Sequence, residues 1–519
     1  MISSVTKSST LINSSSKLIN SKSFTTTASN TVGKDYIKSI YGQLRRKRDR
    51  RGLVNVENFE ESEITTFPRS REGLDYDLNW TLNGYSITPS ESAYRNPRLP
   101  LLFQQSNGKT DKNFTLTVNH NQSDNSGNVT NYYLDEAVAS KNSNSAILSI
   151  PNYKEILEEV KSHISSSKNI YVHDAAVGSS LGSETTIRAV TNDSVSSLFL
   201  KHLLPNTTPI DVSEFKHNLT LYFVPNYQIP NADKLGLKTS SFNIIDVKRG
   251  IAVVSGVPST ENVRNVITAI SSSTFAKTNQ DSLTLSADIY SNGKSAPVLV
   301  FSEDGFLLNK NYNSGKVVSQ GSIWSADGVS RLYNSITYNF ESIAKNQYDL
   351  IEKFSDKKIN TTVPVKFETN HYNQPSSIVF IIKDTSSAIP AFAQLTGEQA
   401  KNYFVSGFVG NSDFVPFFNK GQNTTENAKT AEVFENLIKA NNTKVYIINP
   451  AAFDQESEVD NLLGSVVSGK VADSTNSDVY NTLSPIKVPT AKDQKVADVK
   501  KAVKTFETKL KSKVESLLQ

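Results

Sequence analysis

The chain has 519 residues, enough for two domains with extensions, and at 37% apolar and 20% charged its composition is that of a globular protein. Its 55 basic and 51 acidic residues nearly balance, so the molecule as a whole is not a polyanion binder, and without cysteine it has no disulfide, thiolate nucleophile or thiolate-held metal. The six histidines (120, 163, 173, 202, 217, 371) lack HxxxH or HExxH spacing, and no apolar run approaches the roughly 18–20 residues that span a bilayer, so neither a histidine metal centre nor a transmembrane segment is expected.

Residues 1–34 are Ser, Thr, Asn and Lys with spaced hydrophobes and no acid before Asp35. A basic, Ser-rich, acid-free start without a continuous apolar stretch is the pattern of an organellar presequence, and a mitochondrial matrix location is expected. Residues 35–74 read as a basic, extended arm. Within it Arg45, Arg46, Lys47, Arg48, Arg50 and Arg51 place six positive charges in seven positions, a segment suited to RNA phosphate or an acidic surface. Prolines 68, 89 and 97 extend the irregular reading to Arg98, and Gln105–Asn131 reads as a hairpin plus loop.

A regular α/β rhythm starts at Pro151, a residue suited to a helix's first turn, with Ile156, Leu157, Val160 and Ile164 at helical spacing. Further helices are predicted at Val195–Leu204, Val263–Ile270, Gly397–Phe404 and Ala428–Ala440. Strands are predicted at Ile170–Asp174, Thr186–Thr191, Leu219–Val224, Phe242–Asp246, Ile251–Ser255, Pro297–Phe301, Ile378–Ile382 and Lys444–Ile448, where Val, Ile and Phe dominate. The end of the chain carries an apolar stripe (Val496, Val499, Val503, Phe506, Leu510, Val514, Leu517) with lysines on the other faces. It reads as a terminal helix packed on its own domain, or as a seam for a partner helix.

One segment bears on chemistry. Ala276–Asp288, AKTNQDSLTLSAD, has the tail of a phosphate-binding loop, but Asn279, Gln280, Asp281, Ser282, Leu283 and Thr284 stand where glycines, a lysine and a Mg²⁺-binding hydroxyl are needed. Asp281 would repel a polyanion there. On its own the segment is a polar loop entering a strand.

Read in order, the pieces resemble ATP-dependent phosphoenolpyruvate carboxykinase. Asn169–Ser180 resembles its strand ending D-x-x-x-G-A, and Thr185–Thr191 its R-V-V-T strand. Ser240–Gly256 is similar to its F-x-x-x-N strand, and Ser330–Ile343 to its helix leading to L-E-N-V. Ser377–Gly410 follows its strand–D…P…L-T-x-x-Q-A…S-G pattern, and Lys444–Pro450 its late strand. The resemblance implies a two-lobed α/β fold with mixed sheets. It would comprise an N-terminal domain over residues 75–265, a reduced P-loop-type domain over 266–486 and a terminal amphipathic helix over 487–519.

It also implies an active site built on Mg²⁺-ATP, a second metal and substrate-binding cations, and these positions depart from the pattern. Ser259, Arg264 and Asn265 stand for the family's Tyr and two lysines. Ser282 stands for the loop lysine, Leu283 for its hydroxyl, and Thr362 for a substrate arginine. The segment carrying the metal-ligand histidine is deleted, and one acid pair remains in Ser302–Phe306. Arg188 and Asn449 persist at family positions, and with Arg264 they mark a vestigial pocket. The expectation is a carboxykinase-like pseudoenzyme without catalytic residues, metal or cofactor. It would act through protein partners in a mitochondrial assembly, with RNA as the ligand that the basic run suggests. The alternatives are a residual carboxykinase, with Asp281, Glu303, Asp304 and Asp384 as cation candidates, or a regulatory subunit of an active paralogue.

Overall fold

The computed structural model describes residues 75–76, 82 and most of 85–518; the breaks fall at 107–108, 111–114, 120–128, 135–144, 180–183, 206–216, 226, 257–259, 279–281, 303–305, 308–312, 335–338, 344–346, 352–369, 412, 420–426, 456, 476–478, 481–482 and 493–495. The expected presequence, the basic arm with its six charges, Ser259, Asn279 to Asp281, Glu303, Asp304 and Thr362 lie outside the described residues.

Two large mixed sheets carry the fold. The first has nine strands, ordered in space Asp75–Tyr76, Ser92–Arg95, Asn169–Val177, Thr185–Thr191, Leu219–Val224, Ile251–Ser255, Phe242–Asp246, Thr130–Tyr133 and Ser145–Ile147. Its central strands are buried on both faces, as expected of the continuous apolar runs IAVVS and LTLYFV. Helices α1 (Leu99–Gln105), α2 (Ile150–Ser166), α3 (Ser194–Leu203) and α4 (Thr260–Thr278) belong to this half. Helix α2 begins where Ser149 accepts a hydrogen bond from Asn152 N (3.3 Å) with Pro151 in the first turn, and it buries Tyr153, Ile156, Val160 and Ile164. Helix α3 is capped by Asp193, which accepts from Ser196 N at 2.7 Å.

The second sheet has seven strands, ordered Lys316–Ser319, Asp288–Ser291, Val298–Phe301, Ser377–Ile381, Lys444–Ile448, Phe392–Leu395 and Ser484–Pro485; the third, fourth and fifth run parallel. Alternation splits its core cleanly. Leu299, Phe301, Ile378, Phe380, Val445 and Ile447 face the side of α5 (Gly397–Ser406), α6 (Asn427–Asn441) and α8 (Val496–Leu518). Val298, Val300, Val379, Ile381, Tyr446 and Ile448 pack with α7 (Ser457–Val467). Helix α5 opens on a capping box: Gln399 N donates to Thr396 Oγ1 (3.3 Å) and Thr396 N to Gln399 Oε1 (2.8 Å). The apolar stripe of α8 lies against its own domain, with Val499, Val503, Phe506, Val514 and Leu517 buried and the Phe506 ring 4.5 Å from that of Phe408.

A small four-stranded sheet (Leu283–Leu285, Ser322–Ser325, Gly328–Arg331, His371–Tyr372) joins the halves. Trp324 and Val329 enter the core of the second sheet, while Ile323 enters that of the first. A further antiparallel sheet combines Lys109–Thr110 and Thr115–Asn119, the expected hairpin, with Asn339–Ile343 and Gln347–Ile351.

Two expectations are corrected. Ser330–Ile343, which resembles a helix, enters two strands, Gly328–Arg331 and Asn339–Ile343; their cross-strand partners decide it. The region before Arg98 is not wholly an extended arm, because Ser92–Arg95 pairs in parallel with Asn169–Val177 inside the large sheet.

Candidate functional site

Arg188 sits on Thr185–Thr191, directly opposite Asp174 of the neighbouring antiparallel strand. On the other side of Asn169–Val177 runs Ser92–Arg95, so Arg95 reaches the same carboxylate. Arg188 Nε donates to Asp174 Oδ1 at 2.7 Å and its Nη2 to Oδ2 at 2.9 Å, while Arg95 Nε donates to Oδ2 at 2.7 Å. All three residues are buried, and Asn96 Oδ1 accepts from Asp174 N at 2.8 Å. Burial alone pulls the pKa of Arg188 down, but hydrogen bonds and charge from Asp174, with a contribution from Tyr85, outweigh it and leave the pKa raised. The Arg188 guanidinium lies 5.9 Å from the Tyr85 ring centroid, and Tyr85 hydrogen-bonds to His217. Burial, followed by the Arg188 charge, lowers the His217 pKa. The sequence reading named Arg188 and missed Asp174, Arg95, Tyr85 and His217. The one available signal was the opposite charge in HDAAVG and TTIRAVT, and only strand register turns that into a pair.

Asn449 occupies a different place. It follows Lys444–Ile448 in the second sheet and is fully buried. Its Nδ2 donates to Asp384 O (2.9 Å) and Ile389 O (3.1 Å), and its Oδ1 accepts from Asp384 N and Ala451 N, both at 3.1 Å. The Asp384 carboxylate accepts from Ser386 N, Ser386 Oγ, Ala388 N and Ile389 N at 2.6–3.1 Å. This pair closes the loop after Ser377–Ile381. Both side chains are occupied by backbone groups, as buried polar groups require.

Arg264 lies on α4 and acts electrostatically on Asp288, the last residue of TLSAD. Asp288 is half-buried as a residue, yet its carboxyl is enclosed. Burial raises its pKa to about 7 against the opposing pull of Arg264 and of a backbone hydrogen bond from Gly321. Arg188 and Asn449 thus belong to separate networks in separate sheets, and Arg264 to a third.

The phosphate-loop segment has its own geometry. A phosphate loop runs from a strand into a helix, so that N–H groups at the helix N-terminus point at the anion. Here the order is inverted: α4 precedes the segment, and Leu283–Leu285 is a strand. Leu283 pairs with Trp324, Thr284 with Ile323 and Leu285 with Ser322. Leu283, at the position of the Mg²⁺-binding hydroxyl, is 5% exposed and part of the core. Ser282 carries no charge for the outer phosphates, and Asn265, at the metal lysine's position, is an uncharged residue of α4. The residues at these positions do not fit ATP phosphates with their metal ions. Among the described residues, no three His, Asp or Glu side chains stand together as a metal-holding group, and no helix is long and apolar enough to cross a membrane.

The fold is that of an α/β protein of two mixed sheets, and the segment that resembles the end of a nucleotide loop pairs in a strand ladder. A family model described as phosphoenolpyruvate carboxykinase matches residues 101–303. Proteins named phosphoenolpyruvate carboxykinase (ATP) are similar over about half of the chain. That of Sulfurimonas denitrificans is 23% identical over 294 residues, 49% of this chain and 54% of its own length. That of Campylobacter lari is 24% identical over 287 residues with the same coverage, and that of Agrobacterium fabrum 23% over 298, covering 51% and 55%. Over residues 101–303 the chain is similar to the ATP-dependent phosphoenolpyruvate carboxykinases. It spans about half the length of the curated relatives it matches. The block Ser377–Gly410 lies beyond the stretch matched by the family model.

Proposed function

We propose that this chain is a catalytically inactive, carboxykinase-like mitochondrial protein that serves as a structural or interaction component of an RNA- or ribosome-associated assembly. The observation that carries the loss of catalysis is the inverted loop, with Leu283 buried in the core where a phosphate cradle requires a hydroxyl and free N–H groups. Catalysis of phosphoryl transfer is mostly positioning and charge stabilisation. Without the loop lysine and the metal lysine, neither is supplied at these positions. The retained Arg188, Asp384 and Asn449 hold backbone and strand pairs, which accounts for their presence without a substrate. The basic run Arg45–Arg51 supports the RNA side of the reading, and the acid-free first 34 residues support the mitochondrial side. The regulatory-subunit alternative drew on the C-terminal stripe, which is packed within its own domain.

Isothermal titration of the full chain with ATP in the presence of Mn²⁺ tests the loss of the nucleotide site. No saturable heat is expected; binding with micromolar affinity would return the protein to the enzymes.

A further inference from the structure

We infer that the outward face of α8 is a second RNA contact, which binds the phosphate backbone of double-stranded RNA without regard to sequence. The inference deepens the proposed RNA association through a surface separate from Arg45–Arg51, and it is independent of the loss of catalysis.

The packing fixes which face is outward. With Val499, Val503, Phe506, Val514 and Leu517 buried against the domain, Lys500, Lys504 and Lys511 are exposed along one flank of that stripe and Lys501 opposite it. The stretch from Lys500 to Lys511 runs about 16 Å along the helix axis. Asp498 and Glu515 stand at its two ends, and Glu515 meets Lys511 only at 4.0 Å, a contact of little energetic weight between exposed groups. The half-buried Glu507 is the one acid between Lys500 and Lys511, and against five lysines in that stretch it leaves the middle net positive.

What lies between the lysines selects the partner. The other exposed side chains here are Thr505, Thr508, Lys509, Ser512 and Ser516, none aromatic and none apolar. An amphipathic helix that binds membranes inserts an apolar face with Trp, Phe or Leu, whereas the apolar face of α8 is already spent on the core. Binding of single strands relies on rings for bases to stack on, and this face has none. Compact ammonium charges in a row on a rigid rod match instead the phosphates of a duplex, which proteins read by backbone and shape.

The test uses the full chain and a short fluorescent RNA duplex, with anisotropy measured over a potassium chloride series. The variant K500Q/K501Q/K504Q/K511Q should lose one to two orders of magnitude in affinity at low salt. Its log–log salt slope should become shallower by roughly 3–4, on the order of one per phosphate contact removed. The corresponding four-arginine variant should bind as the wild type does. Unchanged duplex binding by the glutamine variant overturns the inference, as does a wild-type chain that prefers phosphatidylserine vesicles or single strands. Replacing the six basic residues of Arg45–Arg51 by alanine separates the two surfaces. If that change alone removes RNA binding, the α8 inference falls while the proposed RNA association stands.

Discussion

At the scale of residues, the retained charged groups are explained by what they hold. Asp174 carries two guanidiniums in the interior, an arrangement in which removal of one partner typically costs about 3–5 kcal/mol, so it would persist without any substrate. Asp288 and two buried histidines set opposing pH trends. The folded-state pKa of Asp288 is raised to about 7, so the stability tied to its neutral form is complete below the unfolded carboxyl range and is lost as pH rises towards 7. Burial and neighbouring positive charge lower His202 to about 4 and His173 well below its usual value, so their contribution is complete above about pH 6.5 and is lost on acidification. Between about pH 4 and 6.5 the trends cancel in part, each group contributing at most about 1.4 kcal/mol per pH unit. Asp288→Asn removes one side of the balance. In urea unfolding the variant should lose stability more steeply than wild type from about pH 7 to pH 5, and should be the more stable of the two at about pH 8. Superimposable profiles would show that the Asp288 carboxyl is not held neutral. None of this was legible in the sequence: TLSAD marks an acid after a loop, but its enclosure depends on Gly321 and α4 arriving from elsewhere in the chain.

At the scale of elements, the long periodic helices and the apolar strands were readable because pattern and burial agree. Leu219–Val224, Phe242–Asp246, Ile251–Ser255 and Lys444–Ile448 have the predicted bounds. The strand that the polar loop was read as entering is Leu283–Leu285, whereas Ser322–Ser325 and Phe392–Leu395 were not assigned, since four residues give no period to read, and α7 was missed altogether. Turn geometry supplies a controlled comparison. Gly407 ends α5 with φ 60°, and a Cβ there would lie 1.5 Å from Val415 O, a backbone atom that cannot move aside cheaply. Gly469 has a similar φ of 68° with nothing within 4 Å of the added atom. Gly469→Ala should therefore cost only the left-handed penalty of about 1–2 kcal/mol, and Gly407→Ala clearly more. Equal shifts in denaturation midpoint for the two would mean that the 407–415 contact is loose.

At the scale of the whole molecule, a scaffold and an activity make different demands on a sequence. The sheets need apolar strands, capped helices and buried polar knots, and these tolerate a chain only about a quarter identical to its relatives. Phosphoryl transfer needs a few charges at defined places, and in the proposed reading the helix-then-strand order around Leu283–Leu285 leaves no cradle to hold them. The sequence places Ser282 and Leu283 where a phosphate loop has a lysine and a hydroxyl, but does not show that Leu283 pairs with Trp324, because strand pairing is a long-range event. The central claim is most directly tested by turnover: purified full-length protein, oxaloacetate, ATP and Mn²⁺, with phosphoenolpyruvate measured over time. No ATP-dependent product above the protein-free control is predicted; steady phosphoenolpyruvate formation that stops when ATP is withheld would contradict it.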